Sequence, residues 1–239
     1  MTGERADQLA SNLRTVRTRI AAACAAAGRA EDAVALTVVT KFFPASDVAL
    51  LAGLGVRAVG ENKHQEGQEK RPEVVALRGC DDLTWHFVGG LQSNKAAAVA
   101  GWADVVESVD RVKLVRGLSR GAVERPKPLV VLVQVSLDPP DAAAGRAGAL
   151  AEEVPALAEA VAQAPGLVLG GVMGVAPLGG EPAEAFARLH QAAERLQADH
   201  PGADRISAGM SGDLEQAVAA GATHVRVGSA VLGPRPVVQ

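Results

Sequence analysis

Tyrosine is missing from this 239-residue sequence, and four phenylalanines and two tryptophans are all it has of the large aromatic side chains. So few rings leave little for stacking against nucleic-acid bases. The 24 basic and 27 acidic residues are interspersed, for a net charge of −3, and form no basic stripe that would track a phosphate backbone. Only two cysteines occur, Cys24 and Cys80, far apart and without CxxC or Cys/His spacing. That is too few for a disulfide framework or a zinc site, so both are expected to be reduced thiols, and no metal is expected. No apolar run is long enough to span a bilayer, and the opening MTGERADQLASNLRTV lacks the apolar stretch of a signal peptide. The expectation is a cytoplasmic monomer with neither nucleic acid nor membrane as partner.

The hydrophobic content of 48% and charged content of 21% are those of a globular protein. No Ser/Gly-rich linker or charge block divides the chain, so one domain covering 1–239 is expected, close to the roughly 250 residues of a β/α barrel. The first segment reads as a helix, with Leu9, Leu13, Val16 and Ile20 at three- and four-residue steps. Short β-branched runs then alternate with Ala-rich helical stretches. The predicted strands are LTVVTKF (36–42), AVGEN (58–62), LTWHFVG (83–89), VVESVD (105–110), LVVLVQVSL (129–137), LVLGGVMGVA (167–176), DRISAGM (204–210) and HVRVGSAVL (224–232). Pro44, Ser93 and Asp213 stand at predicted helix starts. Strands alternating with helices argue for a parallel sheet, and eight is the number that closes into a barrel. The alternative is an open doubly wound sheet, but its glycine fingerprint is absent after the first strand, where Lys41 is followed by Phe42, Phe43 and Pro44. The fold class read here is α/β, a single (β/α)8 barrel with an extra N-terminal helix.

Barrels place chemistry at the C-terminal ends of their strands. After the seventh predicted strand comes Gly209-Met210-Ser211-Gly212-Asp213, and after the core of the eighth Arg226-Val227-Gly228-Ser229. Loops at these two positions commonly hold phosphate, because unpaired N–H groups face the anion and glycine permits close approach. Small residues ahead of helices are also ordinary caps, and spacing alone does not separate the two readings. Strand alternation puts Arg226 and Gly228 on one face and Lys41 on the same face as Thr37 and Val39. An interior Arg226 needs a partner, either a carboxylate such as Asp110 or Glu107 or a bound ligand. A lysine entering that interior, with its amine kept partly neutral by burial and a nearby cation, suits a Schiff base. A phosphate cradle, a nucleophilic lysine and an arginine together describe a pyridoxal 5′-phosphate (PLP) pocket better than a structural core. Asn62 offers its amide at the end of the second strand, or is simply a turn-favouring residue there. His86, between Trp85 and Phe87, reads as a core histidine, and His64 as solvated.

Several segments carry a resemblance: VVTKFFPASDV (38–48), VGENKHQE (59–66), WHFVGGLQSNKA (85–96), ESVDRVKL (107–114), GGVMGVAP (170–177) and SAGMSGDLEQAVAAGATHVRVGSAVLG (207–233). In this order, and over nearly the whole chain, they resemble the pyridoxal phosphate homeostasis proteins. The resemblance implies a barrel like the N-terminal domain of alanine racemase, binding PLP. It implies that Lys41 forms the Schiff base, that Ser211, Gly212, Gly228 and Ser229 hold the phosphate, that Arg226 meets the pyridine nitrogen and that Asn62 lies beside the ring. Phe42 stands where many members have a small polar residue, Lys63-His64 where Tyr-Val is common, and Gly174 where cysteine is frequent.

Three functions suit such a pocket. The resemblance implies a protein of PLP homeostasis that holds the cofactor and passes it to apo-enzymes, with no catalytic residue. A PLP-dependent amino-acid racemase needs a base on each face of the substrate carbon. In the alanine racemases the second base is a tyrosine from a separate C-terminal domain, and this sequence has no tyrosine and ends at Gln239, just after the eighth strand. A sugar-phosphate aldolase or isomerase would use Lys41 on its substrate instead. The homeostasis function is the expectation.

Overall fold

In the computed structural model, which describes residues 2–138 and 147–235, eight parallel strands close into a barrel in sequence order. They are β1 (Ala35–Val39), β2 (Ala58–Glu61), β3 (Thr84–Phe87), β4 (Val105–Val109), β5 (Leu129–Gln134), β6 (Leu167–Met173), β7 (Arg205–Ser207) and β8 (His224–Val227). Around them run α1 (Thr2–Ala26), α2 (Ala45–Gly53), α3 (His64–Arg78), α4 (Ala96–Ala100), α5 (Val112–Ala122), α6 (Val154–Ala162), α7 (Pro182–Asp199), α8 (Leu214–Ala219) and α9 (Ser229–Leu232). Thr37 of β1 is in register with Ala58 of β2 on one side and Arg226 of β8 on the other, which closes the ring and removes the open-sheet alternative. Among the described residues no helix is long and apolar enough to cross a membrane.

Each strand coincides with a predicted one to within a residue at its start, but the predicted ends run long. The eighth is the clearest correction. It stops at Val227, and Ser229–Leu232 forms α9, whose Val231 and Leu232 N–H groups donate to Gly228 O. A short apolar run such as Ser-Ala-Val-Leu suits either a strand or a buried helical turn, and α1 decides between them here. Asn12 donates to Val231 O and Arg5 to Leu232 O. β1 likewise ends at Val39, so Lys41 lies in the turn beyond it. The fifth and sixth strands end at Gln134 and Met173, short of the predicted 137 and 176.

Most of the apolar core lies between barrel and helices, while a small cluster of Val105, Leu132 and Met173 forms separately. Leu9, Leu13, Val16 and Ile20 of α1 are all buried, as their spacing predicts. Burying each is worth about 1.5–3 kcal/mol, against about 0–1 for an exposed ion pair, so this stripe seats the helix. The polar contacts of α1 then set its register. Arg5 reaches Asp47 of α2 at 2.6 Å, and Arg19 reaches Glu215 of α8 at 2.8 Å and donates to Ser211 O at 3.1 Å. The extra helix thereby braces the β8–β1 seam, where both predicted halves of the site converge.

Candidate functional site at the C-terminal mouth of the barrel

Six of the seven sequence-predicted site residues line one cavity of about 280 Å³: Lys41, Ser211, Gly212, Arg226, Gly228 and Ser229. That volume is at the lower edge of the roughly 300–1,000 Å³ usual for small-molecule pockets. A larger hollow of about 670 Å³ lies at the other end of the barrel, between Arg17 of α1 and the starts of β1 and β2. Its arginines Arg17 and Arg57 donate to backbone carbonyls, and that end of a barrel serves stability rather than chemistry.

Lys41 enters the cavity from the turn after β1. Its amine has no hydrogen bond or ion pair among the described residues. Burial pushes its pKa down from the ordinary lysine value, and the charge of Arg235 pushes the same way, against smaller opposing effects of Glu66 and Glu61. Sequence reasoning expected Arg226 to be the neighbouring cation that favours the neutral amine; the structure gives this role to Arg235, from the segment following α9. A cation beyond the last predicted strand carried no signal of its own. Replacing Arg235 with alanine is expected to move the pH profile for modification of Lys41 by an aldehyde toward higher pH, because the ammonium is no longer opposed. At neutral pH the reaction then slows several-fold, as stopped-flow absorbance will report.

The opposite wall is the loop of Gly209–Asp213. The Asp213 carboxylate accepts from Met210 N at 2.6 Å, and Asp213 N donates to Met210 O, closing a tight loop ahead of α8. Gly209 has φ 89°, and a Cβ there would come within 2.6 Å of the Ala217 side chain, so glycine is required. The N–H groups of Ser211 and Gly212 bond no other described protein group, and the hydroxyls of Ser211 and Ser229 lie 3.3 Å apart. At Gly212 a Cβ would meet nothing within 4 Å. Two uncommitted N–H donors, two hydroxyls and open space are the features an anion cradle requires.

Arg226 forms the floor. It is buried, donates from Nη1 to Ser207 Oγ at 2.6 Å and from Nη2 to Gly174 O at 2.9 Å, and lies 3.6 Å from Glu107 Oε2. Ser207 donates in turn to Glu107 Oε2, and His86 Nδ1 lies 2.6 Å from Oε1. Of the two carboxylates considered from sequence, Glu107 is therefore the partner, while Asp110 pairs with Arg111. Burial alone would raise the Glu107 pKa. The hydrogen bond and charge of His86, the charge of Arg226 and the Ser207 hydroxyl outweigh it and hold the carboxyl at about 2.

Residues 5–236 match the family model of the alanine racemase N-terminal domain. The chain is 43% identical to the pyridoxal phosphate homeostasis protein of Mycobacterium tuberculosis over 244 residues, covering 97% of this chain and 95% of that one. It is 37% identical to that of Escherichia coli over 232 residues, covering 96% and 97%. This chain belongs to the pyridoxal phosphate homeostasis proteins. Among solved structures it resembles PipY of Synechococcus elongatus with PLP bound, at 33% identity and a TM-score of 0.80, covering 94% of this chain and all of that one. Alanine racemase from Corynebacterium glutamicum shares the fold at 16% identity and a TM-score of 0.63, the chain matching 60% of its length.

Measured against other pyridoxal phosphate homeostasis proteins, the departures noted in the sequence have local causes. At Gly174, whose carbonyl accepts from Arg226, a Cβ would come within 2.7 Å of Leu137 and 2.9 Å of Leu189, so these leucines fill the space a cysteine would need. Phe42 and Lys63 face each other, with Lys63 Nζ 5.3 Å from the ring centroid, while Lys41 Nζ and Arg235 Cζ lie 6.0 and 5.1 Å from the same centroid. His64, expected to be solvated, is half-buried and accepts from Trp102 Nε1 at 3.1 Å. Asn62 is the one predicted site residue outside the 280 Å³ cavity. It lines a neighbouring one of about 260 Å³ with Lys63, Phe87 and Lys95, and its buried Oδ1 has no hydrogen-bond partner. Close packing holds it there, since a Cβ on Gly89 would come within 2.1 Å of Asn62 O.

Proposed function

We propose that this chain is a PLP-binding protein of cofactor homeostasis, holding PLP on Lys41 with its phosphate in the Ser211–Gly212 and Gly228–Ser229 cradle. The observation that carries this reading is the convergence, among the described residues, of an amine without a hydrogen bond and the free N–H groups of Ser211 and Gly212 on one cavity of about 280 Å³. When bound, the cofactor would supply an aldehyde, and Lys41 is the amine that would hold it. Burial and the charge of Arg235 lower the Lys41 pKa, which favours the neutral amine needed to hold an aldehyde. The loop N–H groups and the two serine hydroxyls bind the anion, and Arg226 donates toward the pyridine nitrogen from a guanidinium fixed by Glu107, Ser207 and Gly174. A guanidinium only donates, so it leaves that nitrogen unprotonated and the ring a weak electron sink. The resting role is retention and delivery of the cofactor to apo-enzymes in the cytoplasm, not turnover.

Titrating the purified protein with PLP is expected to produce visible absorbance, and borohydride reduction followed by peptide mapping is expected to find one label, on Lys41. A colourless protein that refuses PLP would favour the sugar-phosphate function instead. Assays with both enantiomers of several amino acids are expected to find no substantial turnover. Robust racemisation that depends on Lys41 would replace the homeostasis reading with an enzymatic one.

A further inference from the structure

Behind the Lys41 turn, on the helix side of β2, lies a buried ionic cluster that the site described above does not use. Lys70 of α3 donates to Glu61 Oε1 at 2.7 Å, to Glu66 Oε1 at 2.8 Å and to Thr40 O at 3.0 Å. Thr40 Oγ1 donates to Glu61 Oε1 at 2.6 Å, and Glu66 Oε1 accepts from Phe42 N at 2.5 Å. The two residues flanking Lys41 are thus both tied to this cluster, while Lys41 itself is not. Phe42 is also the one non-glycine residue with positive φ among those described, at 70°. A bulky L side chain rarely takes that conformation, and it persists only where its surroundings over-determine it.

We propose that Glu66 is a positioning residue: by accepting the Phe42 N–H it holds Phe42 left-handed, and that turn aims the Lys41 amine into the cradle cavity. Lys70 makes this workable in two ways. It pairs with both Glu66 and the buried Glu61 in a site with little water, where a carboxylate with no partner would be costly. It also fixes Oε1 of both carboxylates, the Glu66 atom being the one that accepts from Phe42 N. The Phe42 N–H bond therefore stands on a fixed base, and the strained residue lies directly after the lysine whose direction it sets. The inference rests on the reading that Lys41 is the PLP-binding amine.

The test uses the full-length protein, PLP itself, and three readouts: the PLP dissociation constant, the fraction of Lys41 fixed by borohydride, and the thermal midpoint. Glu66→Ala, which removes the acceptor, is expected to weaken PLP binding about tenfold and to lower the labelled fraction at sub-saturating PLP. Glu66→Gln retains an acceptor oxygen and is expected to stay within about threefold of wild type. Adding Phe42→Gly to Glu66→Ala is expected to restore affinity to about the same range, because glycine adopts this φ without help. A second series avoids any folding defect of Glu66→Ala. With Glu66 present, Phe42→Asn is expected to keep affinity, whereas Phe42→Val, β-branched and intolerant of positive φ, is expected to lose about tenfold. If wild type labels on Lys41 and Glu66→Ala binds and labels equally well, the positioning role is wrong and the PLP reading stands. If Glu66→Ala is impaired but Phe42→Gly does not rescue it, or if Phe42→Val matches Phe42→Asn, the role is likewise overturned. If wild type takes no label on Lys41, both readings fall.

Discussion

Lys41→Ala is expected to stay folded and to remain colourless on addition of PLP, with affinity for the cofactor reduced by at least about 100-fold, equivalent to about 2.7 kcal/mol. The expected stability change is small, within about 0.5 kcal/mol, because the amine bonds no other described group and its loss strands no partner. Deleting a partly desolvated cation also removes repulsion from Arg235, so a slight gain in thermal midpoint is as consistent with the geometry as no change. Weak binding should survive through the Ser211–Gly212 and Gly228–Ser229 donors, and it should fall with added inorganic phosphate, which competes for the same cradle. Isothermal titration with and without phosphate separates this residual mode from the covalent one. The competing amines near the mouth are Lys63 and Lys95, since Lys70 is committed to Glu61 and Glu66. A Lys41→Ala protein that turned yellow and carried the reduced label on Lys63 or Lys95 would sink the assignment.

What could be read from the sequence was whatever local periodicity and strand register determine. Eight β-branched runs gave eight strands, and alternation placed Arg226 in the interior and Lys41 toward the same space, even though Lys41 lies beyond the last residue of β1. The cradle was legible because its residues are neighbours in sequence at two strand ends. Strand ends were less so, since an apolar run does not say where pairing stops, as Ser229–Leu232 demonstrates. Asn62 is placed beside the ring by resemblance alone, and in the structure it lines the adjoining cavity, packed against Gly89. Arg235, Glu66 and Lys70 were not legible. Arg235 acts because it lines the cavity together with Gly233, just after α9. The Glu61–Lys70–Glu66 cluster exists because α3 lies against the outer face of β2, a juxtaposition of residues with no shared period. Glu107 lies between these cases: a carboxylate partner for Arg226 was foreseeable, but the choice of Glu107 over Asp110 needed the barrel.

That choice sets the largest expected loss of stability. Glu107→Ala removes the carboxylate that accepts from Ser207 and bonds His86 and faces Arg226, leaving a buried guanidinium with only the Ser207 hydroxyl and Gly174 O. Stranding one member of a buried charged network costs about 3–5 kcal/mol. For a chain of this length that lowers the thermal midpoint by roughly 10 °C. Replacing both partners, Glu107→Leu with Arg226→Met, should recover much of the stability, since apolar residues need no compensating charge, yet it should still impair PLP binding by removing the donor proposed to meet the pyridine nitrogen. The pH dependence follows from the sign of the shift. The Glu107 carboxyl is held at about 2 in the folded protein, below its ordinary value of 4.5. Its ionised form therefore contributes stability that is fully present above about 4.5 and is lost as pH falls from there through about 2. Wild type should lose stability across that acid window by more than Glu107→Gln, which has no carboxyl to protonate. Urea unfolding at a series of pH values measures the difference. Parallel curves for the two proteins, or a Glu107→Ala midpoint within a few degrees of wild type, would mean that Arg226 is held by the hydroxyl and the carbonyl alone.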